Sequence, residues 1–390
     1  MSLKSLMKKT VYILGAGFSR QAGAPTQAEI IDYAFKLYEE CPNNYNKEYF
    51  FKFKNFIEEQ LNIPSNEFSN IDLEDIFTPL DRCTAERSQF RGVNLSHIME
   101  VREAVVYVIG MTIQLLLNGS YDSKDYIDRF ASYITSKCSV RAGLNYRLQD
   151  PVSIVSTNWD ILLDNSIYET LRNNQGYNGV VDYCCYISAK NESDESVKSV
   201  KSGLEKLGQG GFNVKLLKLH GSLNWLQCPR CSRLYANFGY KEAINNYKNP
   251  TSCRHCDDNF PEHSGKHTLM ANLIMPTYLK DLSNPQYRII WQNAGIEISE
   301  ASEIVFIGYS LPHADFELRQ LLSRMTRKSA RITVVDSRKV DEQDMVKAHW
   351  RKFFGSREIE FDFSGASAFV ARLIREANDS IADAAEPTAL

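Results

Sequence analysis

Cys228-Pro-Arg-Cys231 and Cys253-Arg-His-Cys256 are two Cys-x-x-Cys pairs in one stretch of chain. Each pair makes a turn that delivers two sulfurs to one side, and two pairs supply the four thiolates that tetrahedral zinc takes in structural sites. The spacing predicts a closed zinc centre on Cys228, Cys231, Cys253 and Cys256. Such a centre staples a fold and does no chemistry. His255, His263 and His267 lie close by, but four sulfurs leave no position for them to fill. His220 precedes the first pair in "LKLHGSLNWLQCPRC", and the same count leaves it free of the metal. It ends the strand-like run "KLLKL", with Gly221 and Ser222 expected to turn the chain after it. A neutral imidazole at a strand end can take up a proton near physiological pH; the alternative is a hydrogen-bonded packing residue.

Three further groups sit at the ends of strand-like runs. Gly15, Gly17 and Gly23 lie in "ILGAGFSRQAGAP", directly after "VYILG". Glycines there, before a helix N-terminus, suit close approach of backbone to a pyrophosphate, or a tight structural turn. Arg20 stands where the dinucleotide fingerprint requires its third glycine, and the lysine of a phosphate-binding P-loop is absent. "VSTNWD" places Ser156, Thr157, Asn158 and Asp160 after "VSIVS", where they can meet a ligand, cap a helix, or do both. "FIGYSLPHADFELRQLL" offers Gly308 and Ser310, and "ITVVDS" offers Asp336, as groups for a ribose or phosphate or as ordinary loop chemistry. His313 and Asp315 read as caps of a helix starting near Ala314.

The elements that must position these groups follow from periodicity. "VYILG", "VSIVS", "KLLKL", "EIVFIG" and "RITVVD" are short, non-alternating runs, β-branched in all but the leucine-rich "KLLKL", and mostly bounded by Gly, Asp or Ser. That pattern predicts a parallel sheet covered on both faces, a doubly wound, Rossmann-like α/β fold with ligands at the carboxyl ends of the strands. Between Thr26 and Asn145 the pattern is helical, and Thr26 with Glu29 forms a possible capping box. The expected organisation is a nucleotide-binding domain over 8–30 and 150–340, a helical insertion over 31–149, a zinc module over 224–272 and a C-terminal extension over 340–390 ending in a frayed tail. Residues 190–211 read as a polar mobile loop.

With 390 residues and 43% hydrophobic content the chain can bury a large core. A net charge of −3 gives no global footprint for nucleic acid or an anionic membrane. The longest apolar run, Ala104 to Leu117, is too short to span a bilayer and reads as a buried helix. "MSLKSLMKKT" does not fit a cleavable signal peptide, and paired cysteines argue for a reducing compartment, so a cytoplasmic protein is expected.

In order, these pieces resemble the sirtuin family. "GAGFSRQAGAP" is similar to that family's Gly-Ala-Gly-x-Ser-x-x-x-Gly-Ile-Pro loop, "STNWD" to its Thr-Gln-Asn-x-Asp segment, "HGS" to its His-Gly, the paired cysteines to its zinc module, and "GYSL" to its Gly-Thr-Ser-Leu. The resemblance implies an NAD-consuming fold. Gly15, Ala16, Gly17, Phe18, Ser19, Thr157, Gly308, Tyr309, Ser310 and Asp336 would hold NAD. Asn158 and Asp160 would position the nicotinamide ribose, and His220 would act as base toward a ribose hydroxyl or a water.

Three departures bear on the reaction. "TQAE" replaces the family's Asp-Phe-Arg after Pro25, Thr157 stands in place of a glutamine, and "LIMPTYLKD" lacks the Phe-Gly-Glu strand that pairs with an acyl-lysine peptide. These departures and the helical insertion resemble the sirtuin-like branch of bacterial anti-phage systems. That branch implies an NAD hydrolase, a homo-oligomer, and an ATPase, helicase or phage-sensing partner. The alternatives are an NAD-dependent protein deacylase and a non-catalytic NAD or ADP-ribose sensor.

Overall fold

The computed structural model describes residues 8–118, 124–140, 150–190, 203–238 and 242–385. Its strands are β1 (Thr10–Leu14), β2 (Val152–Ser156), β3 (Gly179–Asp182), β4 (Ile187–Ala189), β5 (Phe212–Lys218), β6 (Gly221–Gln227), β7 (Leu234–Ala236), β8 (Met270–Leu273), β9 (Glu303–Ile307), β10 (Arg331–Val335) and β11 (Ile359–Asp362). Seven of them form one sheet in the order β11-β10-β9-β1-β2-β5-β3, and every pairing in it is parallel. All five runs read from the sequence are in it, and β3 and β11 extend its two edges. The central strands are buried at successive positions, as in β2 and in β1 from Val11 to Leu14. Burial of both faces is why they read as unbroken apolar runs.

Between β1 and β2 the described residues are mostly helical, with helices Ile30–Glu40, Lys47–Asn55, Leu73–Glu86, Leu95–Leu117 and Asp125–Ser139. The first four pack around a separate core that includes Phe50, Phe53, Phe77, Val105 and Ile109. Helix Leu95–Leu117 is buried continuously from Ala104 to Ile113, the fate of a helix that is apolar all round. Helix Asp125–Ser139 instead joins the sheet's core through Tyr126, Phe130 and Ile134. Thr26 and Glu29 make the capping box, here at a short 3₁₀ turn leading into helix Ile30–Glu40.

A second sheet, in the order β4-β7-β6-β8, carries the cysteine pairs on its connections. Two expectations change. Helix Gly203–Gly208 occupies part of the stretch read as a loop, whose residues 191–202 lie outside the described ones. Helix Ala366–Ala385 carries into the segment read as a tail, of which 386–390 lie outside. Among the described residues no helix is long and apolar enough to cross a membrane.

Candidate active site at the carboxyl ends of the strands

A cavity of about 720 Å³ opens where β1, β2, β5, β9 and β10 end. These ends supply Ala16 and Gly17, then Thr157, Asn158 and Asp160, then His220, then Gly308, Tyr309 and Ser310, and last Asp336. In the sheet, β1 lies between β9 and β2, so the chain leaves in opposite directions from the centre of this rim. That is the topological switch point at which open α/β sheets bind ligands. The helical segment closes the cavity with Asp72, Leu73, Glu74, Asp75 and Ile113. Sequence reading missed these residues. The acid-rich start of helix Leu73–Glu86 was the available signal.

The loop after β1 is held by the loop after β9. The Gly17 amide donates to the Gly308 carbonyl at 2.9 Å. A side chain on Gly17 would meet the Gly308 Cα at 2.8 Å, and one on Gly308, which has φ +60°, would meet Gly17 and Phe18 backbone at 2.2 Å. Mutual contact thus requires glycine at both positions, before any ligand is considered. Phe18 turns away from the cavity, 1% exposed, and packs on Tyr126 and Phe130. Its place in the loop is that of a core anchor. Ser19, also buried, lies behind the wall and accepts a hydrogen bond from Asn158 Nδ2 at 3.3 Å.

Asn158 is held on its other side too, because the next residue, Trp159, donates its indole N–H to the Ile274 carbonyl at 3.1 Å. The Asn158 Oδ1 is buried with no hydrogen-bond partner. Burying such an acceptor costs about 1–3 kcal/mol, and this one belongs to a residue that lines the cavity. Asp160 accepts the Leu162 amide at 3.1 Å, at the start of helix Leu162–Asn173. Burial pushes its carboxyl up, against the opposing pull of Lys218. Lys218 donates to the Asp160 carbonyl at 2.7 Å and to Asp164 Oδ2 at 3.0 Å, fixing the end of β5 two residues before His220.

His220 falls between β5 and β6, and its carbonyl accepts the Ile274 amide at 2.9 Å. Gly221 follows with φ +75°, where a side chain would meet the Asn272 carbonyl oxygen at 2.2 Å. The imidazole is buried, and burial pushes its pKa below the usual histidine value; Asp315 raises it and Lys280 lowers it. Its Nε2 has no hydrogen-bond partner and lies 3.4 Å from Asp315 Oδ1.

Asp315 corrects the sequence reading. It precedes helix Phe316–Met325 but makes no side-chain cap. Its Oδ2 accepts the Tyr309 hydroxyl at 3.0 Å, and its Oδ1 lies 3.3 Å from Lys280 Nζ. The carboxylate is taken up by tertiary partners, so it is not available to the helix.

The four cysteines come together apart from this cavity, with all sulfurs within 4.8 Å of one another. Cys228 and Cys256 are 3.7 Å apart, and Cys231 and Cys253 are 3.8 Å apart. A tetrahedron with zinc–sulfur bonds of about 2.3 Å has edges of about 3.8 Å, so the cluster is consistent with structural zinc. The Tyr235 hydroxyl lies 3.2 Å from the Cys253 sulfur, a second contact of the kind that orients metal thiolates. Of the nearby histidines, His267 sits between Asp257 and Arg230 and is no part of the cluster.

No family model matches the sequence, and no curated protein matches it. Solved structures do align along nearly the whole chain. A complex of Sir2 with a p53 peptide and NAD+ is 12% identical over 97% of this chain and 99% of that one, with a TM-score of 0.41. A complex of a Sir2 homologue with NAD is 12% identical over 97% and 95%, with a TM-score of 0.39. A mutant Sir2 homologue with ADP-ribose is 14% identical over 98% of each chain, with a TM-score of 0.39. The site described above rests on the sheet, the cavity and the side chains of this chain, independently of those alignments.

Proposed function

We propose that this chain is an NAD hydrolase that cleaves the nicotinamide–ribose bond to give nicotinamide and ADP-ribose. The observation that carries the reading is a pair of buried polar atoms without partners, Asn158 Oδ1 and His220 Nε2, on residues that line one cavity at the switch point. The residues present fit a dinucleotide: a 720 Å³ cavity, the Ser310 hydroxyl, and Asp336 at the end of β10 for a ribose hydroxyl. Bond cleavage develops oxocarbenium character on the ribose, so oriented polar groups matter more than a strong nucleophile. Asn158 is positioned by Ser19 to accept a hydrogen bond from the ribose. His220, neutral at physiological pH, takes a proton from a ribose hydroxyl or a water. The loop after β1 and the Gly308–Ser310 loop hold the rest of the nucleotide.

Water is favoured as acceptor because the helical segment brings Asp72, Glu74 and Asp75 to the cavity. Burial and neighbouring carboxylates raise the Glu74 pKa. An acidic wall suits ordered water and is a poor channel for an apolar acyl-lysine. By the three departures from the family's motifs and the helical insertion we assign the chain to the anti-phage sirtuin-like branch, as a homo-oligomer with an ATPase, helicase or phage-sensing partner and a structural zinc.

The test is incubation with NAD, with and without an acetyl-lysine peptide, with products identified by mass. ADP-ribose formed without peptide is expected. Acyl-ADP-ribose formed only with peptide would make the chain a deacylase, and binding without turnover would make it a sensor. Expression in cells with and without phage challenge, followed by NAD measurement and sizing of the assembly, tests the defence role.

A further inference from the structure

His220 does not face the cavity alone. Asp315, which also lines the cavity, stands beside it with Lys280 next to Asp315, and all three side chains are at most 7% exposed. Asp315 Oδ1 is 3.4 Å from His220 Nε2 and 3.3 Å from Lys280 Nζ, while the Tyr309 hydroxyl donates to Oδ2 at 3.0 Å. The Tyr309 phenol stays protonated, its pKa raised well above the usual value by burial and by Asp315, so it remains a donor. Lys280 is tied in turn to the Thr277 carbonyl at 3.2 Å, to the Ala314 carbonyl, and to Glu317 at 3.3 Å. The carboxylate therefore has three anchored neighbours and little freedom to turn.

At 3.4 Å with no hydrogen bond, the contact between Asp315 and the imidazole is loose while the ring is neutral. A proton on the ring turns it into a charged pair inside a buried site, where such pairs count for more than in water. We propose that Asp315 is a positioning residue for His220, the counter-charge that stabilises the imidazolium once the ring has taken a proton. Lys280 is its opponent, drawing on the same carboxylate oxygen so that the resting ring stays neutral. In the step itself an O–H bond of a ribose hydroxyl or water breaks, an N–H bond forms on the imidazole, and the electron pair stays on oxygen. The inference rests on the base role given to His220 above.

The charged and hydrogen-bonding groups around the ring come from several elements. Asp315 and Glu317 flank the start of helix Phe316–Met325, Lys280 comes from the chain after β8, and the Thr157 backbone comes from the loop after β2. Glu74 of the helical segment interacts electrostatically with Asp315, with Lys280 and with its neighbour Asp72. Substitutions on this set should move the ring's titration with opposite signs, which a purely structural role does not predict.

The test is ring-proton NMR titration of the full chain with labelled histidine and no NAD, the His220 resonance being assigned by its loss in His220→Ala. Asp315→Asn, nearly isosteric, is expected to lower the His220 midpoint, and Glu317→Gln to lower it less. Lys280→Met is expected to raise it. If Lys280→Met does not fold, the two acid substitutions still decide the matter. In turnover, Asp315→Asn should lose about 10²-fold in kcat with KM little changed. A His220 midpoint unmoved in folded Asp315→Asn and Glu317→Gln overturns the proposal, whatever the protein does to NAD. If the midpoints shift as stated but the wild type does not turn over NAD, the hydrolase reading fails and the charge pair stands.

Discussion

Asn158 Nδ2 donates to Ser19 Oγ across 3.3 Å, joining the loop after β2 to the turn after β1. The bond occupies the amide nitrogen and leaves Oδ1 as the unpartnered atom. Ser19→Ala removes the acceptor that fixes which way the amide faces. The cost in stability is expected to be modest, about 1 kcal/mol for one buried hydrogen bond. NAD turnover should fall at least tenfold, because either face of the amide can then meet the ligand. Asn158→Asp should be worse, since it removes the amide N–H that Ser19 Oγ accepts and sets a charge in the buried site. Chemical unfolding beside steady-state kinetics separates the effects, and Ser19→Ala with full turnover would remove Ser19 from the positioning role.

Much of the rim was legible because strand ends are written locally. A β-branched or leucine-rich run followed by Gly-x-Gly, by Thr-Asn or by His-Gly announces both the strand and what it presents, and the five runs read this way all lie in one sheet. The cysteine pairs were legible because thiolate spacing is a short-range property. Asp315 was not. Its local signal, a carboxylate just before a helix, is that of a cap, and its partners are Lys280, Tyr309 and His220, two of them far away in the chain. Nothing in one sequence pairs them. Strands β3 and β11 were missed as short edge segments with little apolar length, and the role of Asp72, Glu74 and Asp75 was hidden because it depends on how the helical core docks.

The pH dependence of turnover should follow His220. Burial favours its neutral form, so its folded-state pKa lies below the usual histidine value of about 6.5. As pH falls below about 6.5 the unfolded chain takes up the proton first, and stability contributed by this residue is lost from there down to the folded pKa. Activity persists lower than for an exposed histidine, because the ring stays unprotonated. The acid limb of the kcat/KM profile is therefore expected below about pH 6.5, and a limb at or above that value would count against His220 as the group that must be neutral.

Metal analysis should give about one zinc per chain, the content of a closed four-thiolate site. Cys228→Ser should lose the metal and destabilise the β4-β7-β6-β8 sheet, because a structural site contributes on the order of 10 kcal/mol in small zinc modules. Loss should be felt at His220, since β6 begins at Gly221 and β8 leads into Ile274, whose amide holds the His220 carbonyl. Thermal unfolding with and without a strong chelator checks this. A metal-free protein with unchanged unfolding would refute the staple.

Gly308 and Gly17 form one joint, and substitutions there should show it. Gly308→Ala meets two penalties, a left-handed backbone at φ +60° and a Cβ placed 2.2 Å from Gly17 and Phe18 backbone. Gly355 separates them, because it has φ +67° with nothing within 4 Å of an added Cβ. Gly355→Ala should therefore cost only the conformational part, about 1–3 kcal/mol for a backbone at φ +67°, ψ −130°, and leave turnover unchanged. Gly308→Ala should cost clearly more and abolish NAD binding, since the same loop carries Ser310. Gly17→Ala pushes on the same contact from the other side, so the double variant should be less destabilised than the sum of the singles. Additive losses measured by denaturant unfolding would mean that the two glycines serve separate ends, one of them a ligand's backbone approach and not this joint.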